Sequence, residues 1–259
     1  MQYFVYHFQV FLLIMMRMSS MIVIAPFFSS GVIPFRIKAL IAFLISLVIF
    51  PVIAGKNPGI TGDMGTYYLL IVKEILIGLY IGFLVSIIFT AFQLAGEFYS
   101  VQIGFGISEV MDPLAQISIP LIGQLKNLIG LLVFLVLNGH HFLIKAIYRS
   151  YELAPVMPVD MVKSSGLLKF LVHSASGMFV IALKIALPVV GTVFLVSVTL
   201  GILAKAAPQM NILMLGFPLK IAVAFGVLII TTPLVIRIMY VSLERSFDFI
   251  TKVIIHWPK

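Results

Sequence analysis

Gly96-Glu97-Phe98-Tyr99-Ser100-Val101-Gln102-Ile103-Gly104-Phe105-Gly106-Ile107-Ser108-Glu109-Val110-Met111-Asp112-Pro113-Leu114-Ala115-Gln116-Ile117-Ser118-Ile119-Pro120 interrupts an otherwise very apolar chain. It carries three of the nine acidic residues (Glu97, Glu109, Asp112) and no Lys or Arg. Gly96, Gly104 and Gly106 permit backbone angles and close approaches that larger residues resist. Pro113 removes a donor and pushes Asp112 away from helical angles. The apolar residues Phe98, Val101, Ile103, Phe105, Ile107 and Val110 are too many for a solvated loop. A glycine-hinged apolar loop between two hydrophobic helices reads as backbone lying inside protein or lining a cavity. The plainest form of such an element is a re-entrant structural connection.

The flanks set the class. Of 259 residues, 62% are hydrophobic and 10% charged, against about 25% charged in soluble domains. No soluble fold hides that much apolar surface, so the fold class is all-α, a polytopic helical membrane protein. A span needs about 20 apolar residues. Six hydrophobic segments qualify or come close: 8–28, 39–54, 67–94, 121–147, 167–203 and 212–240. Several are broken helices, with Pro51, Asn138-Gly139, Pro188, Pro218 and Pro233 inside them. Segments 55–65 and 148–166 read as loops. Lys205-Ala206-Ala207-Pro208-Gln209 joins the fifth and sixth segments into a helical hairpin. After Tyr240 the pattern changes: Leu243, Phe247, Ile250 and Ile254 recur at helical spacing, with Glu244, Arg245, Asp248 and Lys252 mostly off that stripe. Residues 241–259 therefore read as an amphipathic tail, lying on the membrane surface or docking on a partner.

The net charge of +8 comes from singly scattered Lys and Arg, not a basic patch, so nucleic acid is excluded as a partner. These are topology and lipid-headgroup charges. Lys56, Arg149, Lys163, Arg245, Lys252 and Lys259 fall on one side of a six-span arrangement and Arg36, Lys38 and Lys205 on the other. That imbalance puts both termini in the cytoplasm. Arg17, Lys73, Glu74, Lys126, Lys145, Lys184 and Lys220 fall in or near apolar segments, where a central charge costs about 2.5–3.5 kcal/mol. Snorkelling accounts for Lys126, Lys145 and Lys220. It fits Lys184 less well, because apolar sequence continues far on both sides. Lys73 and Glu74 are adjacent, so they point to different faces and need not pair.

Catalytic and metal chemistry find little footing. There is no Cys, hence no disulfide, thiolate metal site or thiol nucleophile. His140 and His141 diverge by about 100° on a helix and cannot easily share an ion. Asn138-Gly139 more plausibly thins the helix for another backbone, with the histidines bonding locally. Glu109 and Asp112 make a possible carboxylate pair, but no nucleophile or phosphate-binding glycine pattern accompanies them. The reading is a non-enzyme with no cofactor, no catalytic residues and no metal site.

One string of landmarks carries more. Ile33-Pro34-Phe35-Arg36-Ile37-Lys38, Gly96-Glu97-Phe98, Gly104, Asp112-Pro113, Pro120, Asn138-Gly139-His140, Ala186-Leu187-Pro188, Ala207-Pro208-Gln209 and Gly216-Phe217-Pro218-Leu219 stand in this order. Over residues 8–240 the chain resembles the FliR/SctT family of type III secretion export-gate membrane proteins, on its flagellar side. The resemblance implies a structural subunit that completes a hetero-oligomeric channel with FliP-like, FliQ-like and FlhB-like membrane subunits, for unfolded export substrates. It implies a FliP-like part at 1–166 and a FliQ-like hairpin at 167–240. It places the protein in the bacterial inner membrane, within the flagellar basal body, with the assembled part projecting toward the periplasm and contacts to membrane lipid.

By the same resemblance, about 102–118 forms a pore plug. Gln102, Ile103, Gly104, Phe105, Gly106, Ile107, Ser108, Val110 and Met111 are the expected gating residues. Glu97, Asp112, Asn138, His140, Lys184, Pro208 and Gln209 are expected at partner contacts or buried polar positions. The competing expectation is an ion-coupled secondary transporter using Lys184, Glu74 or Glu97 near broken helices.

Overall fold

A computed structural model describes residues 2–29, 31, 33–55, 64–104, 121–153, 165–209 and 211–255. These residues form eight helices: α1 (Gln2–Ile24), α2 (Pro26–Ser29), α3 (Phe35–Ala54), α4 (Met64–Ile103), α5 (Leu121–Val136), α6 (Gly139–Leu153), α7 (Ser165–Ala206) and α8 (Ile212–Ile255). Five are long and apolar enough to cross a membrane, and the bent pair α5–α6 makes a sixth such segment. The protein is a polytopic all-α membrane protein.

Local chemistry sets the breaks. Pro26 starts α2, where its missing N–H costs no helical bond. The Asn211 side chain caps α8, accepting from the Met214 N–H at 3.2 Å. Pro188, Pro218 and Pro233 lie inside α7 and α8. Thr192 Oγ1 donates to the Pro188 carbonyl, and Thr232 Oγ1 to that of Leu228 at 2.6 Å. The fourth segment is not one rod: α5 and α6 meet at 66°. Asn138 sits at the corner with φ 54°, a left-handed angle that Asn tolerates better than most residues.

The chain divides into two compact units. The first comprises 1–87, 134–175 and 243–259. Its core is built by α1 (Val10, Leu13, Ile14, Met18 and Met21), α4 (Ile77 and Ile81), α6 (Leu143 and Ile147) and the end of α8 (Leu243 and Ile250). At Gly78, α4 lies directly on α1: an added Cβ would stand 2.0 Å from Ser20 Oγ and 2.2 Å from the Arg17 carbonyl oxygen. The second unit comprises 88–133 and 176–242. Phe92, Ala95, Tyr99 and Ile103 of α4 are buried there with Ala182, Ile185 and Val193 of α7 and Ala224 and Met239 of α8.

Three expectations change. Residues 96–103 are the last turns of α4 rather than loop, because Tyr99, Ser100 and Ile103 continue its buried face. Gln102 and Ile103 therefore belong to a helix end, and the chain leaves α4 at Gly104. The tail is no separate surface helix: α8 runs unbroken through 241–255, Leu243 and Ile250 are fully buried, and the Phe247 ring stacks on Phe142 at 4.0 Å. Within the first unit, Phe247 packs on Phe134 and Phe142, the aromatic side chains flanking the 138–139 corner. Finally, Gly139 does not admit another backbone. The Phe134 ring covers it, 2.2 Å from where a Cβ would stand. Backbones meet instead at Gly96 and Gly123, where a Gly96 Cβ would fall 2.2 Å from the Gly123 Cα.

Candidate functional site

Two polar constellations stand out, one in each unit. In the first, Arg17 of α1 and Glu74 of α4 are both fully buried. The guanidinium grips the carboxylate in a fork: Nε donates to Oε2 and Nη2 donates to Oε1 at 2.8 Å. Nη1 donates to Ser150 Oγ of α6 at 2.7 Å, and the guanidinium carbon lies 3.8 Å from the Tyr151 ring centroid. Planar bidentate pairing and stacking on an aromatic face are what Arg does and Lys does not. Gly78, one turn beyond Glu74, supplies the close helix contact that encloses the pair. The arrangement ties α1, α4 and α6 together. Chemically it is a closed clasp, with both carboxylate oxygens occupied.

The second constellation surrounds the end of α4. Tyr99 Oη donates to the Ile185 carbonyl of α7 at 2.6 Å, three residues before Pro188. Lys126 of α5 is 2% exposed, its Nζ 5.8 Å from the Tyr99 ring centroid. It does not snorkel as expected: the Gly96–Gly123 contact draws α5 onto α4 and encloses the side chain one turn along. At Gly104, φ is +102°, and its N–H donates to the Ser100 and Val101 carbonyls at 3.2 Å. That is the glycine ending of a helix. The Phe217 ring lies 2.5 Å from where a Cβ at Gly104 would stand, so both the backbone angle and the space demand glycine there.

Of the expected gating residues, Gln102, Ile103 and Gly104 fall at this helix end. Phe105, Gly106, Ile107, Ser108, Val110 and Met111 lie outside the described residues, as does Asp112. Glu97 is half-buried on α4; Pro208 and Gln209 form an exposed turn; Asn138 is exposed at the corner. His140 Nδ1 is buried without a hydrogen-bond partner among the described residues. Its ring stands 4.2 Å from His141 and 6.2 Å from Phe27. Lys184 is exposed on α7.

The sequence reading singled out Arg17 and Glu74 separately and missed their pairing, along with Ser150, Tyr151 and Tyr99. The signal was there: two opposite charges in separate apolar segments, and Gly78-x-x-x-Gly82 one turn past Glu74, a spacing that brings helices close.

Residues 8–246 match the family model described as bacterial export proteins, family 1. The chain is similar to the flagellar biosynthetic protein FliR of Bacillus subtilis (strain 168), at 37% identity over 86% of each chain. It is similar to FliR of Escherichia coli (strain K12), at 27% identity over 94% of this chain and 92% of that one. It also matches the surface presentation of antigens protein SpaR of Shigella flexneri, at 28% identity over 83% of this chain and 81% of that one. With the match running from α1 through most of α8, the chain belongs to the FliR family of bacterial export proteins.

Proposed function

We propose that this chain is a non-enzymatic subunit of the flagellar type III protein-export gate. It completes a hetero-oligomeric channel with FliP-like, FliQ-like and FlhB-like subunits, through which unfolded substrates leave the cell. The FliP-like part is 1–166 and the FliQ-like hairpin 167–240. The assembly sits in the bacterial inner membrane and projects toward the periplasm. The family match over residues 8–246 carries the reading, and the exposure of the hairpin is compatible with it. Only 28% of the most apolar window of 172–206, and 17% of that of 214–251, is buried within the chain. Helices so little covered by their own chain, 35–54 at 28% among them, present wide apolar faces to lipid and to neighbouring subunits.

The plug belongs to the same proposal. The segment leaving α4 at Gly104 brings Phe105, Ile107, Val110 and Met111 as apolar bulk, with Gly106 and Ser108 between them. A hydrophobic constriction of that kind holds back water and ions while closed. The transporter alternative loses one of its three coupling groups: Glu74 has both oxygens bound by a fully buried Arg17. A carboxylate so enclosed exchanges no ion without breaking the clasp.

The test is native mass spectrometry of the tagged chain, extracted in mild detergent from its own membranes. One copy bound to several copies of small helical membrane proteins is the expected result. A monomer or homo-oligomer, recovered with all candidate partners co-expressed, overturns the reading.

A further inference from the structure

We propose that the face of α7 centred on Lys184 docks against an apolar helix of a different chain, one that carries a carboxylate opposite the Lys184 ammonium. The inference rests on the export-gate reading and names the chemistry of one of its contacts.

Two independent features point to that occupant. The first is charge. Lys184 is exposed and makes no hydrogen bond or ion pair with any described residue. It stands among exposed apolar neighbours, Leu183 at 51% and Leu187 at 68%. In the apolar stretch 172–206 it lies 12 residues from one end and 22 from the other. That is roughly 18 and 33 Å along a helix, so the ammonium stands away from both ends of the apolar stretch. A cation on an apolar helix face is disfavoured, whereas a carboxylate on a neighbouring helix neutralises it.

The second feature is space. Gly177 and Gly191 lie seven residues on either side of Lys184. Seven residues is two helical turns with about 20° of drift, so all three share one line along α7. A Cβ at either glycine would meet nothing within 4 Å. Glycine weakens a helix interior relative to alanine, and here it makes room for nothing in the chain itself. Lipid gains nothing from that missing Cβ, but a second helix does, because small residues let backbones approach closely. The acid-bearing occupant is therefore a helix.

The experiment uses the full chain co-expressed with its membrane neighbours, extracted in mild detergent and read by native mass spectrometry. A photo-reactive residue replaces Leu187. Lys184→Arg is expected to assemble as wild type. Lys184→Met and Lys184→Glu should lower the recovered hetero-oligomer by about tenfold or more, the effect of leaving one member of a desolvated charge pair alone. The Lys184→Met chain by itself should keep the wild-type thermal midpoint, since Lys184 touches nothing polar within the chain. The cross-link should map to an apolar helix containing Asp or Glu, and changing that acid to Lys should restore assembly of Lys184→Glu.

Full assembly of Lys184→Met overturns this inference and leaves the export-gate reading standing. So does a cross-link to lipid alone or to a second copy of this chain. Wild-type protein recovered without dissimilar subunits overturns both.

Discussion

Replacing Glu74 with Ala leaves the Arg17 guanidinium in a fully buried site without its carboxylate. Two charge-assisted hydrogen bonds are lost while the donation to Ser150 and the contact with the Tyr151 ring remain. Removing one partner of a buried ion pair costs about 3–5 kcal/mol, because the surviving charge is still desolvated. For a chain of this size each kcal/mol corresponds to roughly 2–4 °C in the thermal midpoint, so Glu74→Ala should melt about 6–20 °C lower. Glu74→Gln keeps the shape and one acceptor oxygen and should fall between Glu74→Ala and wild type. The decisive variant is the double replacement Arg17→Met with Glu74→Leu. It removes both charges, fills similar volume and should recover most of the loss. The assay is the thermal midpoint of the purified chain in one mild detergent, followed by intrinsic fluorescence. A Glu74→Ala midpoint within about 2 °C of wild type, or a double variant as unstable as the single, would refute the argument that an uncompensated buried charge sets the cost.

Further outcomes follow from the packing. Gly78→Val should cost about 3 kcal/mol, since its Cβ would strike the Arg17 carbonyl of α1; Gly78→Ala is the graded control in the same melting assay. Tyr99→Phe removes the donation to the Ile185 carbonyl and should lower stability by about 0.5–1.5 kcal/mol, read as a lower melting midpoint with unchanged helical circular dichroism. Asn138→Gly should be tolerated, whereas Asn138→Val should cost about 1–2 kcal/mol from the left-handed angle alone; equal midpoints for the two would show that the 138–139 corner does not need that angle.

The helices were legible because hydrophobic length is a one-dimensional signal. A run of about 20 apolar residues can be counted, and each of the six expected segments lies largely within described helix. Boundaries at glycine were harder. Gly96 resembles a hinge in the sequence, yet it lies within α4, because its small size serves the contact with Gly123 and not a turn. Gly104, eight residues later, does end the helix, and only its φ of +102° tells the two apart. Asn138-Gly139 was recognised as a break, but which group fills the gap depends on Phe134 folding back over the corner. The Arg17–Glu74 clasp was beyond local reading for a related reason. Adjacency gave no reason to pair Lys73 with Glu74, while the residue that grips the carboxylate lies 57 residues upstream.

That separation also imposes a clock on biogenesis. Arg17 is made 57 residues before Glu74 and 133 before Ser150. At bacterial synthesis rates of about 5–20 residues per second, Arg17 waits roughly 3–11 s for its carboxylate, and longer for the hydroxyl that takes its third contact. During that interval α1 carries an unmatched cation in an apolar segment, a state that resists settling deep in the bilayer. The Arg17 pairing on α1 is therefore completed only after the α4 segment has been made, and the order of synthesis differs from the order of burial.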